Sequence, residues 1–186
     1  MPIITGEEGE TQQVVEASKL MLISARTAPK TGGVDDILTA LVTGEDKLAL
    51  AADMEEVGRD RKIEGFIRDA RNVRDSAAVL LVGVRASKSV GLHCGSCGYT
   101  RCDEFNEAEK KRGNDFVGPS CALKLLDLGI ALGSAVKTAS ILNLDNRVMY
   151  RVGVAAMRLN LLPEADIIIG VPVSARGKSI YFDRKA

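Results

Sequence analysis

Apolar positions along the chain change period several times, and each change marks an element. Over residues 11–27, Val14, Ala17, Met21 and Ala25 recur at helical spacing and Pro29 ends the run, which predicts a helix followed by a turn-rich loop over 28–33. Residues 36–43 are short and rich in β-branched side chains and lead into Thr-Gly-Glu-Asp, so they read as a strand. Residues 46–58 read as a helix with Leu48, Ala51, Met54 and Val57 on one face. Residues 61–74 give the clearest amphipathic pattern, with Ile63, Phe66, Ile67, Ala70 and Val73 opposite Arg and Asp. Residues 77–84 form a continuous apolar run, as expected of a strand covered on both faces.

Regularity breaks over 91–121. Residues 122–142 then read as a long helix, apolar nearly all round and so central and buried, with small residues (Gly129, Ala131, Gly133, Ser134, Ala135) that permit close backbone approach. A further helix is predicted over 151–161, ended by Pro163, then a buried strand over 166–173 and a polar, extended tail over 174–186. Helices and strands mix without strict alternation, which predicts one α+β layered domain over 1–186, with 91–121 as a cysteine-rich insertion.

Composition adds exclusions. Of 186 residues, 46% are hydrophobic and 27% charged, a balance that supports a globular core. Net charge is zero, and the basic run at 110–112 is offset by Asp103, Glu104, Glu107 and Glu109, so nucleic acid and anionic membranes are not expected partners. The apolar stretch between Asp127 and Lys137 is too short to span a bilayer, and the polar start lacks a leader pattern. A cytoplasmic location follows, where clustered thiols serve metals or catalysis more often than disulfides.

The chemistry is concentrated in four cysteines, the only ones present: Cys94-Gly-Ser-Cys97-Gly-Tyr-Thr-Arg-Cys102, then Cys121. Three close thiols and a remote fourth suit an iron–sulfur cluster better than structural zinc, which favours two separated pairs. A zinc staple and a metal-free Cys94/Cys97 dithiol are the alternative readings. His93, the sole histidine, reads as a neighbour of the centre and not as a ligand. No Walker loop, no dinucleotide fingerprint and no nucleophile elbow is found.

The pattern C-G-x-C-G-x-x-x-C followed by Gly113 and Cys121 resembles the four-cysteine [4Fe–4S] module of bacterial electron-transport complexes and corrinoid iron–sulfur proteins. Three further stretches resemble the nitroreductase scaffold: 25–33, which is similar to its flavin-lining loop; 127–135, similar to its long central helix at a dimer interface; and 162–172, similar to its closing strand. In combination the chain resembles the "ferredoxin domain-containing" proteins of anaerobic bacteria and archaea. The resemblance implies a nitroreductase-like α+β fold, a [4Fe–4S] cluster on Cys94, Cys97, Cys102 and Cys121, single-electron transfer with a redox partner protein, and a homodimer. It also implies FMN near Arg26, Lys30 and Thr31, hence a small flavin-linked reductase, an oxidoreductase if an enzyme at all. The flavin-binding pattern is incomplete: an Arg-rich stretch gives way to the acidic 6–10, and Gly32-Gly33 stands where an asparagine is expected, leaving Arg26, Lys30, Arg176 and Lys178 as the cations for a phosphate. The alternative is a binding subunit stapled by zinc or a cluster, without catalysis of its own.

Overall fold

A computed structural model describes residues 3–182, with positions 11 and 12 described by backbone alone. Helix α1 (Gly6–Thr27) starts earlier than its apolar period. Thr5 and Glu8 form a reciprocal capping box, with the Glu8 N–H donating to Thr5 Oγ1 at 3.3 Å and the Thr5 N–H to Glu8 Oε2 at 2.9 Å. The acidic 6–10 stretch is therefore the first turns of a helix, where carboxylates complement the dipole. A 3₁₀ turn (Thr31–Gly33) precedes strand β1 (Ile37–Val42), then α2 (Gly44–Asp60), α3 (Glu64–Asp75) and β2 (Ala78–Val84). The cysteine segment carries a short helix α4 (Cys102–Glu107) and a two-rung hairpin, β3 (Lys111–Arg112) with β4 (Val117–Gly118). Helix α5 (Ala122–Ile141), the short β5 (Asp145–Asn146), α6 (Tyr150–Arg158) and β6 (Ile167–Ser174) complete the order.

The main sheet runs β1-β2-β6-β5, antiparallel throughout, and is sandwiched between two helical layers. Because strand side chains alternate, β2 sends Val79 and Leu81 into a core with α2, α3 and α6. It sends Leu80, Val82 and Val84 into a second core with α1 and α5. Every residue of β2 is buried, which is why its sequence is apolar without alternation. On β6, Gly170 meets Val152 of α6, and Gly153 of α6 faces the backbone at Ile168, so this helix lies unusually close to the sheet.

Several expectations need correction. In α2 the buried side is Leu50, Ala51, Met54 and Val57, whereas Leu48 is exposed. Ile63 lies before α3 and is exposed, while Asp69 is buried within it, held by Arg68 and by Arg151 at 2.7 and 2.8 Å. Helix α6 ends at Arg158, short of Leu161, through a turn in which Asn160 takes a positive φ. Helix α5 is not buried all round: Leu126 is 61% exposed, Ile130 44% and Ile141 68%. The tail is not simply extended, because Ile180 and Tyr181 pack back onto the first core; its last residues, 183–186, lie outside the described residues.

Candidate metal centre

All four cysteines are free thiols on the segment that leaves β2 and returns at α5. Cys94 is exposed and Cys97 half-buried, on a loop turned by Gly95 and Gly98, whose φ values of +74° and +87° a side chain rarely adopts. The Gly98 N–H closes the turn onto the Gly95 carbonyl at 3.0 Å. Hydrogen bonds from Ser96, first its N–H and then its hydroxyl, lower the pKa of the Cys94 thiol and favour the thiolate that a metal requires.

Cys102 and Cys121 are buried, each at the start of a helix. The His93 N–H donates to Cys102 Sγ at 3.2 Å, and the Cys102 N–H donates back to His93 Nδ1 at 3.1 Å. His93 thus closes the loop over 93–102 and presents its backbone amide to sulfur. Cys121 is the N-cap residue of the twenty-residue α5. Its N–H donates to the Ala86 carbonyl at 2.8 Å.

The expected quartet is nevertheless not drawn to one point. Among the described residues no three His, Cys, Asp or Glu side chains stand close enough together to hold a metal ion. The donor set, four thiols with sulfur-directed N–H groups and two permissive glycines, fits a thiophilic centre. Thiols alone have no mutual attraction, and it is a shared cation that gathers them.

The segment is anchored from outside. Arg61 donates to Asp115 Oδ1 at 2.5 Å and to the Asn114 carbonyl at 3.0 Å, and the Tyr150 hydroxyl donates to Asp115 Oδ2. Phe116 meets the Tyr150 ring edge to face at 5.6 Å. Burial tends to raise the Asp115 pKa, but the bonds from Tyr150 and Arg61 outweigh it and hold the carboxyl below its usual range. Burial, then the bond to Asp115, pushes Tyr150 up to about 12.

Arg26, in the last turn of α1, and Lys30 and Thr31, on the connection to β1, are each bonded within the protein. Arg26 donates to the Ile37 carbonyl and pairs with Asp35 at 2.5 Å. Lys30 Nζ donates to the carbonyls of Arg26 and Ala28. Thr31 donates through N–H and Oγ1 to Asp127 of α5, at 3.0 and 2.8 Å. One turn earlier on α5, buried Lys124 pairs with Asp36 at 2.5 Å. Lys124 and Asp127 are not visible in the apolar pattern. Their signal is two charges in the first turns of a largely apolar helix, which must find partners if buried.

The architecture defines a class: a nitroreductase-like α+β fold carrying a cysteine-rich segment between β2 and α5. It is similar to a nitroreductase from Lactococcus lactis in complex with nicotinic acid (TM-score 0.60, 10% identity, 92% of this chain and 82% of that one). It is also similar to an oxidoreductase containing FMN (TM-score 0.56, 15% identity, 88% and 67%). Nitroreductase A from Vibrio parahaemolyticus gives a TM-score of 0.54 at 15% identity over 88% of this chain, which spans 59% of that enzyme. At these identities the likeness is one of fold. Within that class, residues 117–184 match the family described as "Uncharacterized protein containing a ferredoxin domain (DUF2148)". An uncharacterized protein of Archaeoglobus fulgidus is 47% identical over 184 residues, 98% of this chain and 97% of that one. The chain belongs to this ferredoxin-domain family. Of the four cysteines, the matched stretch includes Cys121.

Proposed function

We propose that the protein is an iron–sulfur redox protein whose Cys94, Cys97, Cys102 and Cys121 hold a [4Fe–4S] cluster and exchange single electrons with a partner protein in the cytoplasm. The observation that carries this reading is the split of the four thiols. Two are buried at helix starts and two lie on an outer glycine turn, all on one anchored segment with backbone N–H groups directed at sulfur. When bound, such a cluster supplies a one-electron couple whose potential depends on those hydrogen bonds and on burial. Buried Cys102 and Cys121 would supply two of the thiolate ligands, and Cys94 and Cys97, nearer the solvent, the other two. Among the described residues no helix is long and apolar enough to cross a membrane.

FMN is the second reading. The solved oxidoreductase containing FMN that shares the fold supports it. The engagement of Arg26 by Asp35, of Lys30 by the Ala28 carbonyl and of Thr31 by Asp127 of α5 makes them poor phosphate donors unless those contacts break.

Anaerobic purification tests the first reading. Wild-type protein should be brown, with iron and acid-labile sulfide each near four per chain (roughly four by the cuboidal assignment). Cys102→Ser should lose most of both while remaining folded. Stoichiometric zinc without sulfide in the wild type would leave only a zinc-stapled binding subunit.

A further inference from the structure

One residue outside the cysteine segment touches both of its stems. Asp166 lies just before β6. Its Oδ2 accepts the N–H groups of Ala86 and Ser87 at 2.6 and 2.7 Å, where the chain leaves β2 for the cysteines. Its carbonyl accepts the N–H of Val117 at 3.0 Å, where the chain returns on β4, and its own N–H donates to the Val84 carbonyl at 2.9 Å. Ala86, held by that carboxylate, in turn accepts the N–H of Cys121. The exit from β2, the returning hairpin and the first turn of α5 are thus joined through a single aspartate.

The need for a side chain here follows from the sheet. The β2–β6 ladder ends at the pair Val84 and Ile167, so the amides at 86 and 87 have lost their strand partner. A carboxylate oxygen replaces the missing carbonyl and, being charged, binds two amides more strongly than a neutral group would. Without an acceptor, both amides lose their partner at a part-buried position.

We infer that Asp166 is the positioning residue of the cysteine segment. By fixing Ala86 it fixes the carbonyl that holds Cys121, and through Val117 it fixes the hairpin that separates Cys102 from Cys121. The inference rests on the thiolate reading above, but its test separates the two. In reduced, metal-free protein, Ellman's reagent should modify buried Cys102 and Cys121 slowly and exposed Cys94 quickly, with sites assigned by peptide mass spectrometry. Asp166→Ala should speed Cys121 by about tenfold or more, because the stems then open without global unfolding. Asp166→Asn, which keeps an acceptor oxygen, should restore slow labelling. Cobalt(II) titration adds a signature that a loss of stability alone would not move: thiolate charge-transfer intensity per bound ion should fall in Asp166→Ala and recover in Asp166→Asn.

Wild-type labelling rates in Asp166→Ala, or an Asn variant as fast as the Ala variant, would overturn the inference. Failure of wild-type protein to bind cobalt through thiolates would instead count against the metal reading and leave the labelling result standing. Should Asp166→Ala not fold, hydrogen exchange on wild-type protein decides. The amides of Ala86, Ser87, Val117 and Cys121 should open with one shared free energy, and unrelated rates would refute the staple.

Discussion

Gly153→Ala is the sharpest test of how the scaffold presents the cysteine segment. A Cβ at this position would lie 2.5 Å from the carbonyl carbon of Ile168, 3.2 Å from the Ile169 Cα, and nearer still to the Ile168 oxygen. Ordinary contact begins near 3.4 Å, so helix and strand would have to separate by about 1 Å or more. No flexible side chain can yield, because the obstructing atoms are backbone. If α6 lifts, the packing of Val152, Ala156 and Met157 on the first core is lost. If β6 bows, the rungs Gly83–Ile168 and Val82–Ile169 are strained, two residues beyond Asp166.

Overpacking costs typically 1–3 kcal/mol, and clash with backbone belongs at the upper end, about 3 kcal/mol. Alanine recovers roughly 1 kcal/mol of helix propensity over glycine, leaving a net loss of about 2 kcal/mol. That is a large fraction of a stability of roughly 5–15 kcal/mol. Urea unfolding followed by far-ultraviolet circular dichroism should show a lower midpoint at unchanged slope. Gly129→Ala on α5 is the control, since a Cβ there meets nothing within 4 Å and should bring the propensity gain alone. A Gly153→Ala variant within about 0.5 kcal/mol of wild type, the range of ordinary surface substitutions, would refute the close-packing argument.

Leu20 and Ile23 on α1, with Leu126, Ile130 and Ile141 on the neighbouring α5, expose an apolar surface that we propose a second copy covers; Ile130→Glu should then convert a dimer to a monomer in light scattering, and a wild-type monomer would end that idea. Tyr150, raised to about 12 from an ordinary 10.0, loses its proton later in the folded state than in the unfolded one. Stability should therefore fall as pH climbs from 10 toward 12, and Tyr150→Phe should flatten that fall and remove the late phenolate absorbance component; an unchanged profile would refute the raised pKa that burial and the bond to Asp115 together produce.

What could be read from the chain alone follows from what is local. β2 and β6 were legible because a strand covered on both faces must be apolar at consecutive positions, and Ala78–Val84 is buried throughout. The cysteines are visible in residue type and spacing, but among the described residues that spacing does not bring three of them together. Apolar period alone starts α1 too late, because the Thr5–Glu8 capping box that begins the helix is polar. Leu48 and Leu50 are two apart, so apolarity alone could not decide which of them faces the core. The buried polar contacts were out of reach altogether. Asp36 with Lys124, Asp69 with Arg151, and Asp166 with Ala86 join residues far apart in sequence, and no periodic pattern reports them. For α5 an apolar composition does not mean complete cover, since Leu126, Ile130 and Ile141 stay exposed.

Helix α5 is where the separate parts meet. Its N-cap is Cys121, its first turn holds Lys124 against Asp36, and the next turn holds Asp127 against Thr31. A lysine at 3% exposure is tolerated only with its partner in place, and removing one member of such a pair commonly costs about 3–5 kcal/mol, because a bare charge is left inside. The loop before β1 is therefore held down by the same two turns that position the fourth thiol. Further along, the same helix exposes Leu126 and Ile130. A rigid rod of twenty residues cannot be displaced at one of these points without displacement at the others. Changes in the 28–36 loop, in thiol ligation or in self-association should consequently be felt along one shared element, which makes α5, more than the cysteine segment alone, the element through which the two candidate cofactor regions of this fold are coupled.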